Sequence, residues 1–276
     1  MTANEALVAA IQALTTADVP DAANDARILM AHALGIERAR LTLVLSDDVA
    51  NDAMIRFSMM IDARCARKPV SHIIGTREFY GRSFIVTADV LDPRPDTELL
   101  VETALSAGFK TVLDLGTGSG CILLSLLAEN KSATGQGTDT SPAALNIAEQ
   151  NATRLGQEKR SRFLRSDWFG NIDGQFDLIV SNPPYITAAQ MPALSPEVRN
   201  WEPLIALTPG GDGLDAYRVI TAKALLHLNA NGRLIVEIGH QQAAEVQALF
   251  GVAGFDGITC LQDMDGRDRV VLGIKA

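Results

Sequence analysis

The spacing of apolar and polar positions changes character twice along the chain. Up to about residue 68, apolar side chains recur at helical intervals. Leu7, Ile11 and Leu14 form one stripe; Ala26, Leu29, Met30 and Leu34 form a second; Met54, Phe57, Ile61 and Cys65 form a third. Asn4 stands where it would cap the first helix. Asp21, just after Pro20, starts the second, and Gly35 stands where a left-handed residue would end it. The third must stop before Pro69. The pattern predicts a small helical bundle over 1–68, with no catalytic constellation inside it.

From about residue 70 the pattern turns β-like. His72-Ile73-Ile74 reads as a short strand, and 79–86 as a hairpin folded around Gly81. Residues 69–95 are expected to link the bundle to a domain over 96–276. Asp96 is placed to cap a helix from 97 to about 107. Beyond 108, strands and helices alternate. Strands are expected at 110–114, up to Asp139, at 162–166, at 176–181, at 233–237, near 256–261 and at 268–274, with helices between most of them. Such alternation predicts an α/β doubly wound sheet. A loop of roughly 25 residues follows the strand at 176–181, and loops that long usually carry function.

That strand ends in Asn182-Pro183-Pro184-Tyr185. Each proline lacks an N–H and fixes φ, and the residue before a proline is held extended. The Asn182 side-chain oxygen and the Pro183 carbonyl are therefore stiffened at the carboxyl end of a strand, where open α/β sheets bind ligands. Two rigid acceptors beside an aromatic face suit a planar –NH2 group.

A second motif, Asp114-Leu115-Gly116-Thr117-Gly118-Ser119-Gly120, joins the first strand of the alternation to its helix. Glycines there allow a tight turn and close backbone approach, and the helix N-terminus favours a negative group. The spacing G-x-G-x-G departs from the dinucleotide fingerprint G-x-G-x-x-G. Asp139 lies about 20 residues on and is placed to accept both hydroxyls of a ribose. It marks a nucleoside without choosing between a nicotinamide cofactor and S-adenosylmethionine. Asp167-Trp168, one βα loop further, offers an acceptor for an exocyclic amine and a face for a purine.

Composition narrows the range. The 276 residues carry a net charge of −9, which argues against a broad nucleic-acid surface. Cys65, Cys121 and Cys260 are far apart, and His32, His72, His227 and His240 are scattered, so neither a disulfide framework nor a metal site is signalled. The N-terminus does not resemble a signal peptide and no long apolar run exists, so a cytoplasmic protein without membrane contact is expected.

The glycine loop, Asp139, Asp167-Trp168 and Asn182–Tyr185 together resemble class I S-adenosylmethionine-dependent methyltransferases, and Asn-Pro-Pro-Tyr is similar to the motif of their amino-group methylases. These act on adenine N6, guanine N2 or a glutamine amide. The stretch 78–84, Pro93-Arg94-Pro95-Asp96-Thr97-Glu98, Glu197-Val198-Arg199, Trp201-Glu202-Pro203, 211–218 and 266–271 extend the likeness over nearly the whole chain. They resemble the glutamine methyltransferases that modify peptide chain release factors. Asp92 and Trp201 stand where an apolar residue and a tyrosine are common in that family.

The resemblance implies a mostly parallel, seven-stranded Rossmann-like sheet with a small N-terminal helical bundle joined by the hairpin linker. It implies S-adenosylmethionine as donor and S-adenosylhomocysteine as product, held by Gly116, Thr117, Gly118, Ser119, Gly120, Asp139, Asp167, Trp168 and Asn182. The substrate implied is the glutamine of a Gly-Gly-Gln loop on a release factor, docked by the bundle, with no direct nucleic-acid partner. Asn182 and Pro183 would accept the two amide hydrogens, with Pro184, Tyr185 and Phe79 around the amide. A ribosomal-protein glutamine methyltransferase and a DNA or RNA amino methyltransferase are the alternative readings.

Overall fold

The computed structural model describes residues 1–276. In chain order the helices and strands are α1 (Ala3–Thr16), α2 (Ala22–Leu34), α3 (Asn51–Cys65), α4 (Val70–Ile74), β1 (Thr76–Phe79), β2 (Arg82–Ile85), α5 (Glu98–Leu105), β3 (Thr111–Leu115), α6 (Cys121–Glu129), β4 (Thr134–Asp139), α7 (Pro142–Arg154), β5 (Ser161–Arg165) and β6 (Phe176–Ser181). They continue with α8 (Pro196–Trp201), α9 (Leu204–Leu207), α10 (Asp215–Ala224), β7 (Leu228–Glu237), α11 (Ala243–Ala253), β8 (Asp256–Gln262) and β9 (Asp268–Ile274). The chain forms two compact units.

The first unit comprises Met1–Thr76 together with Ser195–Trp201. The apolar stripes of α1, α2 and α3 meet in one core, in which Leu14, Leu29 and Met30 are fully buried. The cap of α1 is Thr2, not Asn4. Thr2 Oγ1 accepts the Glu5 N–H at 3.2 Å, and the Glu5 carboxylate accepts the Thr2 N–H at 2.8 Å. This reciprocal box satisfies two end donors and puts the cap two residues earlier, leaving Asn4 inside the helix. Gly35 ends α2 in the left-handed region, as expected. His72-Ile73-Ile74 is not a strand but most of α4: Pro69 presets the entry, and Gly75 at φ 76° closes the turn.

Glu197 of α8 is anchored inside this unit. It accepts from Arg64 Nη1 at 2.9 Å and from Arg67 Nε and Nη2 at 2.6 and 2.8 Å, while Arg64 Nε also donates to Asp25 at 2.7 Å. Burial opposes the charged form of Glu197, but Arg67 and Arg64 outweigh it and hold the carboxyl at about 2. Lys68 Nζ lies 5.6 Å from the Trp201 ring centroid. A segment expected within the 96–276 domain therefore packs as part of the helical unit.

The second unit, Arg77–Leu194 with Glu202–Ala276, holds a seven-stranded sheet in the order β5-β4-β3-β6-β7-β9-β8. The strands from β5 to β7 run parallel, and β9 is antiparallel to both its neighbours. Apolar cores cover both faces, as a doubly wound sheet requires. The chain winds outward from β3 through β4 to β5, then returns to β6 on the other side. The crevice at the carboxyl ends of β3 and β6 is thus a topological switch point, the usual ligand position in such sheets. There Leu115 and Ser181 are register partners, and the Ser181 hydroxyl donates to the Leu115 carbonyl at 2.7 Å.

The hairpin β1–β2 turns at Tyr80-Gly81, both at positive φ, a two-residue turn whose twist matches that of the strands. Asp96 does not cap α5. A 3-10 turn over Pro95–Thr97 precedes the helix, and Asp96 pairs with Arg269 at 2.9 Å. No helix is long and apolar enough to cross a membrane.

Candidate functional site

A cavity of about 300 Å³ opens at the switch point, within the size range of small-molecule sites. Gly116, Thr117, Gly118 and Ser119 from the turn after β3, Asp139 from the end of β4, Asp167 and Trp168 after β5, and Asn182 and Pro184 after β6 all line it. Nine residues named from sequence on four separate βα loops are brought to one space.

The glycine loop is built for close approach. Gly116, Gly118 and Gly120 have φ of 70°, 53° and 78°, a region that glycine enters without steric cost. A Cβ at Gly116 or Gly118 would meet no protein atom within 4 Å, whereas one at Gly120 would press on Leu124 and Ala148. Gly120 thus serves helix packing, and it does not line the cavity. Asp139 braces the loop: its Oδ2 accepts the Gly118 N–H at 3.1 Å and its Oδ1 the Ser141 N–H at 2.9 Å. Burial raises its proton affinity, and these backbone bonds counter it. Asp114 lies beneath the loop, fully buried. Its Oδ2 accepts from Thr117 at 2.7 Å and its Oδ1 has no hydrogen-bond partner. Burial pushes it up to about 7.

Trp168 holds a positive φ of 49°, a costly conformation for an aromatic residue that survives only when its surroundings impose it. Ser166 does so: its hydroxyl donates to the Trp168 carbonyl at 2.8 Å and accepts the Asn171 N–H at 3.0 Å.

At the β6 end, Asn182 Nδ2 donates to Thr97 Oγ1 at 3.1 Å. Pro183 is buried, and neither it nor Tyr185 lines the cavity. The Tyr185 hydroxyl donates to Glu237 at 3.3 Å, and its carbonyl accepts from Gln242 Nε2 at 3.1 Å. Burial and the Glu237 charge push the Tyr185 hydroxyl well above its ordinary range, so it stays protonated. Phe79 stands outside the site, contrary to the expectation that it flanks the amide. It is 1% exposed, its ring 6.1 Å from that of Phe84 in the core beneath the hairpin, and it takes no part in the cavity. Strand alternation turns it inward, where apolar burial outweighs any role at the surface.

Sequence reasoning missed part of the wall. Arg94 and Thr97 line the cavity, as do residues of the segment 203–209. Arg94 Nη2 grips both carboxyl oxygens of Glu202 at 2.6 and 2.7 Å, joining the Pro-Arg-Pro stretch to Trp-Glu-Pro. Both motifs were visible in the sequence, but nothing local announced that they would pair. No group of side chains is arranged to hold a metal ion.

Residues 5–75 match the family model described as the PrmC N-terminal domain, and residues 80–196 the one described as the methyltransferase small domain. The chain is 54% identical to a release factor glutamine methyltransferase of Cereibacter sphaeroides, over 98% of each chain. It belongs to the release factor glutamine methyltransferase family. A relative of the same name from Agrobacterium fabrum is 42% identical over 98% of this chain and 96% of its own. The solved structure of a methyltransferase from Pyrococcus furiosus, 16% identical, superposes with a TM-score of 0.54 over 70% of this chain and 88% of that one. That likeness concerns the fold alone.

The chain is accordingly a methyltransferase, and its methyl donor is S-adenosylmethionine. The cavity suits that group. The open space over Gly116 and Gly118 admits a ligand against the backbone. Asp139 presents carboxylate oxygens to the same space.

Proposed function

We propose that this enzyme methylates the side-chain amide nitrogen (N5) of the glutamine in the Gly-Gly-Gln loop of peptide chain release factors. The observation that carries the reading is that Asn182 and the glycine loop with Asp139 line one cavity. An amide-holding motif and a nucleoside-holding motif thus face the same space. The names of the relatives supply the substrate class.

In this reading Gly116, Thr117, Gly118 and Ser119 hold the amino-acid end of the donor, Asp139 its ribose, and Asp167 and Trp168 its adenine. S-adenosylmethionine supplies an electrophilic methyl group on a sulfonium. Asn182 Oδ1 and the Pro183 carbonyl accept the two hydrogens of the glutamine amide and aim its lone pair. An amide nitrogen is a weak nucleophile because that lone pair is delocalised. As it forms the new bond to carbon, with the S–C bond breaking, the nitrogen turns positive and both acceptors gain strength. Fixed dipoles of this kind lower a barrier without reorganising, and alignment of the two reacting atoms contributes further. The nitrogen then loses one proton to water. Tyr185, anchored at both its hydroxyl and its carbonyl, shapes the wall behind Pro183 and Pro184.

The helical unit is where the body of the release factor would dock, a role consistent with its match to the PrmC N-terminal domain. Truncation would test this poorly, because Ser195–Trp201 belongs to that unit. Comparing substrates tests it directly. Intact release factor should show a far lower KM than a Gly-Gly-Gln peptide at similar kcat, and equal KM values would count against docking.

The decisive experiment is mass spectrometry of release factor incubated with this protein and S-adenosylmethionine. One methyl group on the Gly-Gly-Gln glutamine is expected, and its loss with Asn182→Ala. A methyl on another residue, or full turnover by Asn182→Ala, would overturn the reading.

A further inference from the structure

One wall of the cavity comes from far along the connection between β6 and α10, where Pro203, Ile205, Ala206, Thr208 and Pro209 line it. Glu202, which opens this segment, does not line the cavity. On the reading that the cavity holds S-adenosylmethionine, we propose that Glu202 is a positioning residue for the methyl donor. Through Arg94 it fixes the segment as a strap at the cavity mouth, so that donor and product exchange only when the Arg94–Glu202 pair parts.

The place of the strap follows from Ile205, which lines the cavity and is also 61% exposed. A side chain that faces cavity and solvent at once stands at the mouth. Its neighbour Leu204 is exposed as well, whereas Leu207 is buried. Both ends of the segment are held. At the far end the Ile186 N–H donates to the Leu207 carbonyl at 3.0 Å, and the Thr208 hydroxyl donates to the Ile186 carbonyl. These bonds tie the strap to the residue that follows Asn182–Tyr185. At the near end Arg94 Nη2 donates to both carboxyl oxygens of Glu202, at 2.6 and 2.7 Å. The Glu202 side chain is 2% exposed and that of Arg94 34%. Arg94 lines the cavity itself. Between the two ends the Ala206 N–H bonds back to the Pro203 carbonyl at 2.9 Å, inside the strap.

The two attachments differ in kind. The far one consists of neutral hydrogen bonds to backbone, and the near one is a charge-assisted contact to a buried carboxylate. Pro203 follows Glu202 directly, at φ −69°, and Pro209 follows Thr208. Each proline stiffens itself and the residue before it. Release at Glu202 is therefore carried along the strap instead of being absorbed by fraying at one residue, and Ile186 is the hinge. Burial pushes the Glu202 carboxyl up to about 7, against the pull of Arg94 and with the Asp92 charge adding to the rise. Desolvation thus offsets much of the attraction. A pair so balanced can hold the strap while the donor is bound and still part in each turnover. The Trp-Glu-Pro motif thereby gains a role in keeping the donor, although its carboxylate never reaches the cavity.

The test is the rate at which S-adenosylhomocysteine leaves the whole chain, followed by stopped-flow displacement in tryptophan fluorescence. Glu202→Gln keeps the shape and removes the charge, and it should speed release about tenfold or more. KM for S-adenosylmethionine should rise, and KM for release factor should change far less. Glu202→Asp, which restores the charge, should recover part of the retention. Arg94→Gln combined with Glu202→Gln should release no faster than Glu202→Gln alone, and additive effects would overturn the joint role. This double variant buries no unpaired charge, so it carries the test if Glu202→Gln melts early. Release at the wild-type rate in both Glu202→Gln and the double variant overturns the proposal, and so does a KM for release factor that rises in step with that for the donor. Asp139→Ala tells two failures apart. Wild-type donor binding in Asp139→Ala defeats the placement of the donor in this cavity. Weakened binding there, with wild-type release in the Glu202 variants, defeats this proposal alone.

Discussion

Gly213 lies directly against the carbonyl oxygen of Tyr185. A side chain at Gly213 would collide with that oxygen and with Gln242 Nε2, the donor that holds it, and Gly213 also sits at φ 78°. The Gly-Gly-Asp-Gly stretch thus closes over the back of the Asn-Pro-Pro-Tyr segment. Its last glycine is required twice, for backbone conformation and for space.

Gly213→Ala is therefore expected to cost about 2 kcal/mol or more in stability, from a strained φ plus a forced shift of Tyr185. It should lower kcat as the Pro183–Tyr185 backbone moves. Gly211→Ala is the control. Gly211 has φ 51° but nothing within 4 Å of a Cβ, so strain alone should cost about 1 kcal/mol. Thermal melts and turnover of the pair measure the difference. Equal effects would show that contact with Tyr185 does not matter.

Asp139 braces Gly118 and Ser141 with separate carboxyl oxygens. Asp139→Ala should loosen the glycine loop and remove the ribose acceptor together, weakening S-adenosylmethionine binding by about tenfold or more in calorimetry. Asp139→Asn keeps one acceptor oxygen and should weaken it less.

Ser166 holds Trp168 in its left-handed conformation. Ser166→Ala should release the turn and weaken cofactor binding while the melting temperature moves little, since the turn lies at a strand end. Fluorescence quenching on titration with S-adenosylhomocysteine reads it. Unchanged affinity would separate Trp168 from the adenine site.

Glu197 makes the stability of the helical unit acid-sensitive. Its folded value of about 2 lies below the ordinary 4.5, so its stabilising effect is complete above pH 4.5 and disappears as pH falls from there toward 2. Replacing Glu197 by Gln should remove that component, on the order of 3 kcal/mol at neutral pH, and flatten the acid limb of the unfolding curve. An acid limb identical to that of the wild type would assign the pH dependence elsewhere.

What the sequence determined was local. Helical spacing marked α1, α2 and α3, because a buried stripe must recur every three or four residues. Strand–helix alternation marked the doubly wound sheet, and turn chemistry placed Gly116–Gly120, Asp139 and Asn182 at strand ends. Those ends converge by the rules of right-handed crossover, so their meeting was legible before any coordinates. Tertiary structure alone decided the rest, because each item depends on partners far apart in the chain. Phe79 went to the core rather than the site, since its strand packs inward on Phe84. Asp96 found Arg269 instead of a helix end. Ser195–Trp201 joined the helical unit because Glu197 pairs with Arg64 and Arg67, 133 and 130 residues away in the chain. Asn182 met Thr97 across 85 residues. A motif can specify which groups stand at a strand end, but the contact between Asn182 and Thr97 is one that only the folded chain assembles.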